Sequence, residues 1–153
     1  MTQRDHTLTA TILALTGLLF VGMQSVEIQP GQEGYTAVRG ESVVLFGEVW
    51  DQTPYTLGGL HSSAVPPLPS WGVAGGVSLL GRTVMGVRLF TVLCSAFSLL
   101  LLYFSVRSYS SHRDAIVSVV LLGTALPWFI MSRSAVSAVP IAMFTLLAFW
   151  ATT

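Results

Sequence analysis

The sequence predicts an all-α integral membrane protein with about four transmembrane helices. A long outer loop between the first and second carries short interfacial helices. Three observations predict it. Of 153 residues, 52% are hydrophobic and only 9% are charged, where an ordinary soluble domain carries about 25% charged residues. Mean hydropathy is +0.71. The charges are also clustered, and the gaps between clusters have the length of a bilayer: Thr7–Val26, Leu89–Val106, Ala115–Ser132 and Ser134–Thr153 contain none. A helix needs about 20 mostly apolar residues to span, and in lipid a helix satisfies its backbone within its own segment.

Spans are therefore expected near 8–26, 86–106, 115–131 and 135–151, in a single membrane domain of residues 1–153 with an outer loop over 27–85. The first carries Leu13-Ala14-Leu15-Thr16-Gly17-Leu18-Leu19-Phe20-Val21 behind Arg4. Met23-Gln24-Ser25-Val26 lacks a small-x-small cleavage pattern, so a retained anchor is expected rather than a cleaved signal. Arg4 precedes the first span, and Arg107 and Arg113 flank the turn after the second. The positive-inside rule then sets the N-terminus in the cytoplasm and the long loop outside or in the periplasm.

The outer stretch opens with a short helix from Glu33, expected to end near Gly40, and continues to Pro66-Pro67-Leu68-Pro69, which no helix can run through. Ser70–Leu80 is too short to span, is rich in glycine and starts beside Trp71. It reads as a helix lying on or dipping into the outer leaflet, with Trp71 at headgroup level. Gly72 and Gly76 have the small-xxx-small spacing that lets helices approach closely. Pro127 and Pro140 are expected to kink or end helices.

Several function classes drop out. Seven arginines balance seven acids and lysine is absent, so no basic patch exists to neutralise nucleic-acid phosphates. One cysteine, Cys94, gives no disulfide or CxxC site, and His61 and His112 lack metal-ligand spacing. No cofactor and no metal are expected. No carboxylate falls within a span, which argues against a proton-coupled carrier.

The chain offers, in order, Gln32-Glu33-Gly34-Tyr35, Pro66-Pro67-Leu68-Pro69-Ser70-Trp71, Leu79-Leu80-Gly81, Val87-Arg88-Leu89 and Ser132-Arg133-Ser134-Ala135-Val136-Ser137-Ala138-Val139-Pro140. This series resembles the N-terminal part of the GT-C membrane glycosyltransferases that use polyprenyl-phosphate sugars, a group including protein O-mannosyltransferases and lipid A aminoarabinose transferases. Their pattern runs Asp-Glu-x-Tyr, His-x-Pro-Pro-Leu-x-x-Trp, Leu-x-Gly, Ala-x-Arg-Leu and Ser-Arg-x-Ala-x-x-Asp-x-Pro. The resemblance covers residues 8–150.

It implies a polyprenyl-phosphate sugar as donor, Glu33 as a catalytic carboxylate, and Arg133 and Arg88 as phosphate-binding groups. Three polar positions depart from the pattern. Gln32 stands where the family has its proposed general base, and an amide cannot accept the proton. Ala138 replaces the later aspartate, and the histidine before the prolines is missing, with His61 displaced by several residues.

Each candidate also has a plainer reading. Glu33 can serve as a helix-starting carboxylate, Arg133 as an interfacial arginine marking a turn with Glu33 or Glu41 as its partner, and Arg88 as an end-anchor. Trp50, Tyr55 and Trp71 form the expected partner-binding surface.

Two functions follow. The first is a non-catalytic structural subunit derived from such an enzyme, inactive alone and packed against other integral membrane proteins and membrane lipid. The second is a fragment or split N-terminal module of an active transferase.

Overall fold

The computed structural model describes residues 3–23, 25–47, 49 and 67–152, with the side chains of residues 3–9 excepted. Trp50, Tyr55 and His61 lie outside them. The described chain is helical: α1 (Gln3–Phe20), α2 (Gln32–Phe46), α3 (Leu68–Leu80), α4 (Val84–Tyr109), α5 (His112–Thr124), α6 (Leu126–Ser132) and α7 (Ala138–Ala151). Among these, α4 alone is long and apolar enough by itself to cross a membrane. The helices α5 and α6 pass the same test together, bent by 67°.

The chain divides into two units, one of residues 22–91 and 134–137, the other of residues 1–21, 92–133 and 138–153.

In the first unit, Gly31 opens α2 with φ of +106°, a conformation that favours glycine, and Gly47 closes it in the left-handed region, its N–H donating to the Val43 carbonyl. The helix runs past Gly40, where the sequence expects it to stop. Gly40 lies at the crossing with α3, and a β-carbon there would collide with the Val73 side chain. The small-xxx-small face of α3 is likewise used for close packing: Gly72 lies against the Phe90 ring, and Gly76 against the Gly86 carbonyl of α4. Ala37, Val73, Val77, Val87 and Ala135 form the core of this unit. The opposite side of α3, with Gly75, Ser78 and Leu79, is exposed.

In the second unit, Ile12, Leu99, Tyr103, Ala115 and Val119 pack together, and Gly123 gives room for Leu15. Its exterior is apolar, and small hydroxyls are enclosed among its apolar core. Ser95, Ser98, Ser105 and Ser132 are buried, while Leu13, Leu93, Phe97, Phe104, Leu121, Ile141, Phe144 and Trp150 are exposed. Buried small hydroxyls and an apolar exterior are the arrangement helices adopt in lipid. Ser95 and Ser132 bond to each other at 2.9 Å.

The α5–α6 bend sits at Ala125, immediately ahead of Leu126-Pro127. Ala125 takes an extended conformation (φ −62°, ψ 123°). The proline ring cannot coexist with a helical carbonyl four residues back and provides no N–H, so the helix breaks and restarts with Pro127 in its first turn. Pro140 sits in the first turn of α7 for the same reason. The opening of α5 is a capping box, in which Asp114 N–H donates to Ser111 Oγ and the Asp114 carboxylate accepts from Ser111 N–H.

Candidate functional site

The most polar buried feature of the first unit is the pair Glu33–Arg88. Glu33 lies in the first turn of α2, aimed back over the chain before the helix. Arg88 lies one turn into α4, and both side chains are almost fully enclosed, at 3% and 2% exposure. An arginine inside an apolar run must find a counter-charge or reach water. Here Nε donates to Glu33 Oε1 at 2.7 Å and Nη2 to Oε2 at 3.1 Å, a forked arrangement.

Every donor of the guanidinium is used. Nη1 donates to the carbonyls of Met23 (2.9 Å) and Val26 (3.1 Å), and Nη2 also to that of Glu27 (3.1 Å). The carboxylate is equally committed. Oε1 accepts a second bond from Ala135 N–H at 3.0 Å, and Oε2 from Gln29 N–H at 2.9 Å. A carboxylate has about four acceptor positions, and all four are taken.

Burial by itself would raise the Glu33 pKa. The hydrogen bond from Arg88, those from the Gln29 and Ala135 amides and the charge of Arg88 overcome it, so the carboxyl is held below its ordinary value. A group so placed is a weak proton acceptor with no lone pair facing outward. The arrangement ties the chain after α1, the start of α2, the start of α4 and the turn before α7 to one point.

That last turn is Ser134–Ser137, and a second bond holds it: Gln32 Nε2 donates to Ser137 Oγ at 2.8 Å. Gln32 is exposed, as is Ala138, the residue after Ser137.

The other expected site residues lie elsewhere. Of the two carboxylates the sequence offers to Arg133, Glu33 is held by Arg88. Arg133, half-buried, donates from Nη2 to the Val21 carbonyl at 2.7 Å and places its guanidinium 5.0 Å from the Phe129 ring centre. Trp71 is half-buried, and its indole N–H donates to the Val49 carbonyl at 2.9 Å. Trp50 and Tyr55 fall outside the described residues. Among the described residues, no group of three or more His, Cys, Asp or Glu side chains could hold a metal.

Sequence reasoning did not find Gln29 and Ala135, because they act through backbone N–H groups that leave no mark on residue type. The Glu33–Arg88 pairing did leave one: an arginine in the first turns of a long apolar helix needs a counter-charge, and few carboxylates are available.

Residues 64–153 match the family model of dolichyl-phosphate-mannose-protein mannosyltransferases. The match includes Arg88, Arg133 and the Ser132–Pro140 series, and begins after Gln32 and Glu33. No curated protein and no solved structure matches the chain significantly.

Proposed function

The chain belongs to the dolichyl-phosphate-mannose-protein mannosyltransferase family, and from that premise we propose that it is a GT-C-derived membrane module working as a non-catalytic structural subunit of a larger membrane complex. In this reading it crosses the membrane four times, with the bent pair α5–α6 as one crossing. The N-terminus is cytoplasmic and the stretch 27–85 lies on the outer side. The apolar exterior of the second unit supports burial in lipid, and the stretch that carries Trp50, Tyr55 and Trp71 is where partner proteins dock.

One observation carries the non-catalytic reading. The retained acid, Glu33, is occupied by four donors, and its neighbour Gln32 has an amide where the family has a base. Glycosyl transfer to a hydroxyl needs a carboxylate that can receive the acceptor's proton in the transition state.

A second reading, a split module of an active transferase, draws on Arg133. Its described hydrogen bond uses Nη2, which leaves Nε and Nη1 to meet a donor phosphate.

The deciding experiment is purification of the intact complex from native membranes in mild detergent. Mannosyl transfer from dolichyl-phosphate mannose to an acceptor peptide is then measured for wild type, Gln32→Ala and Arg133→Gln. The structural reading expects stoichiometric unrelated membrane proteins and no transfer that either variant alters. Transfer abolished by Arg133→Gln in an intact complex would establish the split-enzyme reading instead.

A further inference from the structure

The turn joining α4 to α5, within the second unit, carries positive charge that the fold does not use. An open cleft of about 580 Å³ there is lined by Arg107, Ser111, His112 and Arg113, with no acid and no apolar side chain among them. Of the seven acids in the chain, Asp114 alone lies beyond residue 51. Its carboxylate is committed to the cap of α5, accepting from the Ser110 and Ser111 hydroxyls and from the Ser111 N–H. Those bonds hold its carboxyl below the usual range, so it stays charged, but they turn it to the serines. Among the described residues it forms no ion pair with either arginine.

The two arginines stand on either side of the turn. Arg107, in the last turn of α4, donates from Nη1 to the Ser110 carbonyl at 3.1 Å. That bond steadies the guanidinium and leaves Nε and Nη2 unused among the described residues. Arg113, the second residue of α5, is exposed and makes no hydrogen bond or ion pair among the described residues. Between them, His112 Nδ1 lies 2.9 Å from the Tyr103 hydroxyl. Donation from that hydroxyl to Nδ1 leaves the ring hydrogen on Nε2 as a further donor. The backbone start of α5 is already capped by Ser111 and Asp114, so recognition falls to these side chains.

Two uncompensated guanidiniums on different helices suit a ligand with several anionic oxygens pointing in different directions. A carboxylate offers two oxygens in one plane and fits a single arginine fork, whereas a phosphate can be shared between two. We propose that this cleft binds a phosphate group, with Arg107 and Arg113 sharing its oxygens across the turn and His112 donating to one of them. A membrane-lipid headgroup and a soluble phosphate ester present the same oxygens to the arginines. The site shares no residue with the Glu33–Arg88 node or with Arg133, so it stands on neither reading of the function.

Native mass spectrometry of the full chain in mild detergent tests this, with phosphatidylglycerol, the matching diacylglycerol and glycerol phosphate as separate probes. A phosphate-bearing probe should bind in one-to-one ratio, and diacylglycerol should not bind. Arg113→Gln, which breaks no bond of the fold, should weaken binding about fivefold. Arg107→Gln/Arg113→Gln should weaken it about thirtyfold, the equivalent of about 1 kcal/mol for each arginine. Arg107→Lys/Arg113→Lys should restore most of it. Arg82→Gln, at an exposed arginine of the first unit, should change nothing. A complex that forms with phosphatidylglycerol and resists excess glycerol phosphate makes a lipid headgroup the ligand. One that glycerol phosphate forms or displaces makes it a soluble ester, and either result supports phosphate recognition. Diacylglycerol binding as well as phosphatidylglycerol, no binding of any probe, indifference to Arg113→Gln, or an equal loss in Arg82→Gln would each overturn the proposal.

Discussion

Glu33→Gln is the substitution that most directly separates a structural carboxylate from a catalytic one. The amide keeps the size and fork of the side chain but has one acceptor oxygen and one donor nitrogen. If its oxygen keeps Arg88 Nε and the Ala135 N–H, its nitrogen must face Arg88 Nη2 and the Gln29 N–H, both of them donors. Two bonds to a charged acceptor are lost, at about 1.5–3 kcal/mol each. The same event seen from Arg88 is a buried cation losing its counter-charge, which costs about 3–5 kcal/mol. The two routes describe one loss and agree on about 4 kcal/mol. Both partners are nearly fully enclosed, so solvent screening does not reduce it. For a chain of 153 residues, each kcal/mol shifts the melting temperature by about 2–4 °C, giving a drop of about 8–16 °C. Tryptophan fluorescence of the purified protein in mild detergent reads it, since Trp71 and Trp128 are half-buried. Adding Arg88→Met should cost less than the sum of the two single changes, because each single variant already strands the other partner. A melt within about 2 °C of wild type, or strict additivity, would refute the account.

Three further outcomes follow from particular contacts. Because the folded-state pKa of Glu33 lies below its ordinary 4.5, its contribution is fully present above that value and is lost as pH falls through the depressed one. Melting temperature followed from neutral to acid pH should therefore fall in that window, and this part of the fall should vanish in Glu33→Gln. Gly76→Ala drives a methyl into the Gly86 carbonyl and should cost about 1–3 kcal/mol, whereas Gly75→Ala, which meets nothing, should be neutral or gain up to about 1 kcal/mol; paired melts decide. Ser111→Ala removes the cap of α5 and should cost about 1 kcal/mol, seen as faster amide exchange in the first turn of α5.

Composition and charge spacing made the helical class legible, because long uncharged apolar runs favour helices, while the family was legible only in the ordered motifs. The family match confirms the resemblance drawn from the ordered motifs. Helix ends were less legible where tertiary packing decided them. Gly40 carries the local signature of a stop, yet the helix continues because the position's lack of a β-carbon is used at the crossing with Val73. Pro127 was legible as a break, since its effect is local, but the 67° it produces is not encoded in residue type. The Glu33–Arg88 pair spans 55 residues, and the sequence offers no measure of which arginine a carboxylate reaches. Of the two carboxylates the sequence offers Arg133, Glu33 and Glu41, the first lies on Arg88.

The node also explains why the scaffold can persist while the acidic positions around it change. Glu33 and Arg88 carry opposite charges and satisfy one another, so the node is neutral whatever occupies position 32. At that position the Gln32 amide donates to Ser137 Oγ. An aspartate there is one methylene shorter and would not reach the same hydroxyl without a shift of the backbone. The geometry of the Ser134–Ser137 turn is held separately by Ala135 N–H on Glu33. The amide at position 32 is no proton acceptor, and the turn keeps its Ala135 N–H bond to Glu33 whatever stands there. On the structural-subunit reading proposed above, the groups that hold this turn are distinct from the position where the resembled family has its acid, so the fold does not depend on chemistry at residue 32.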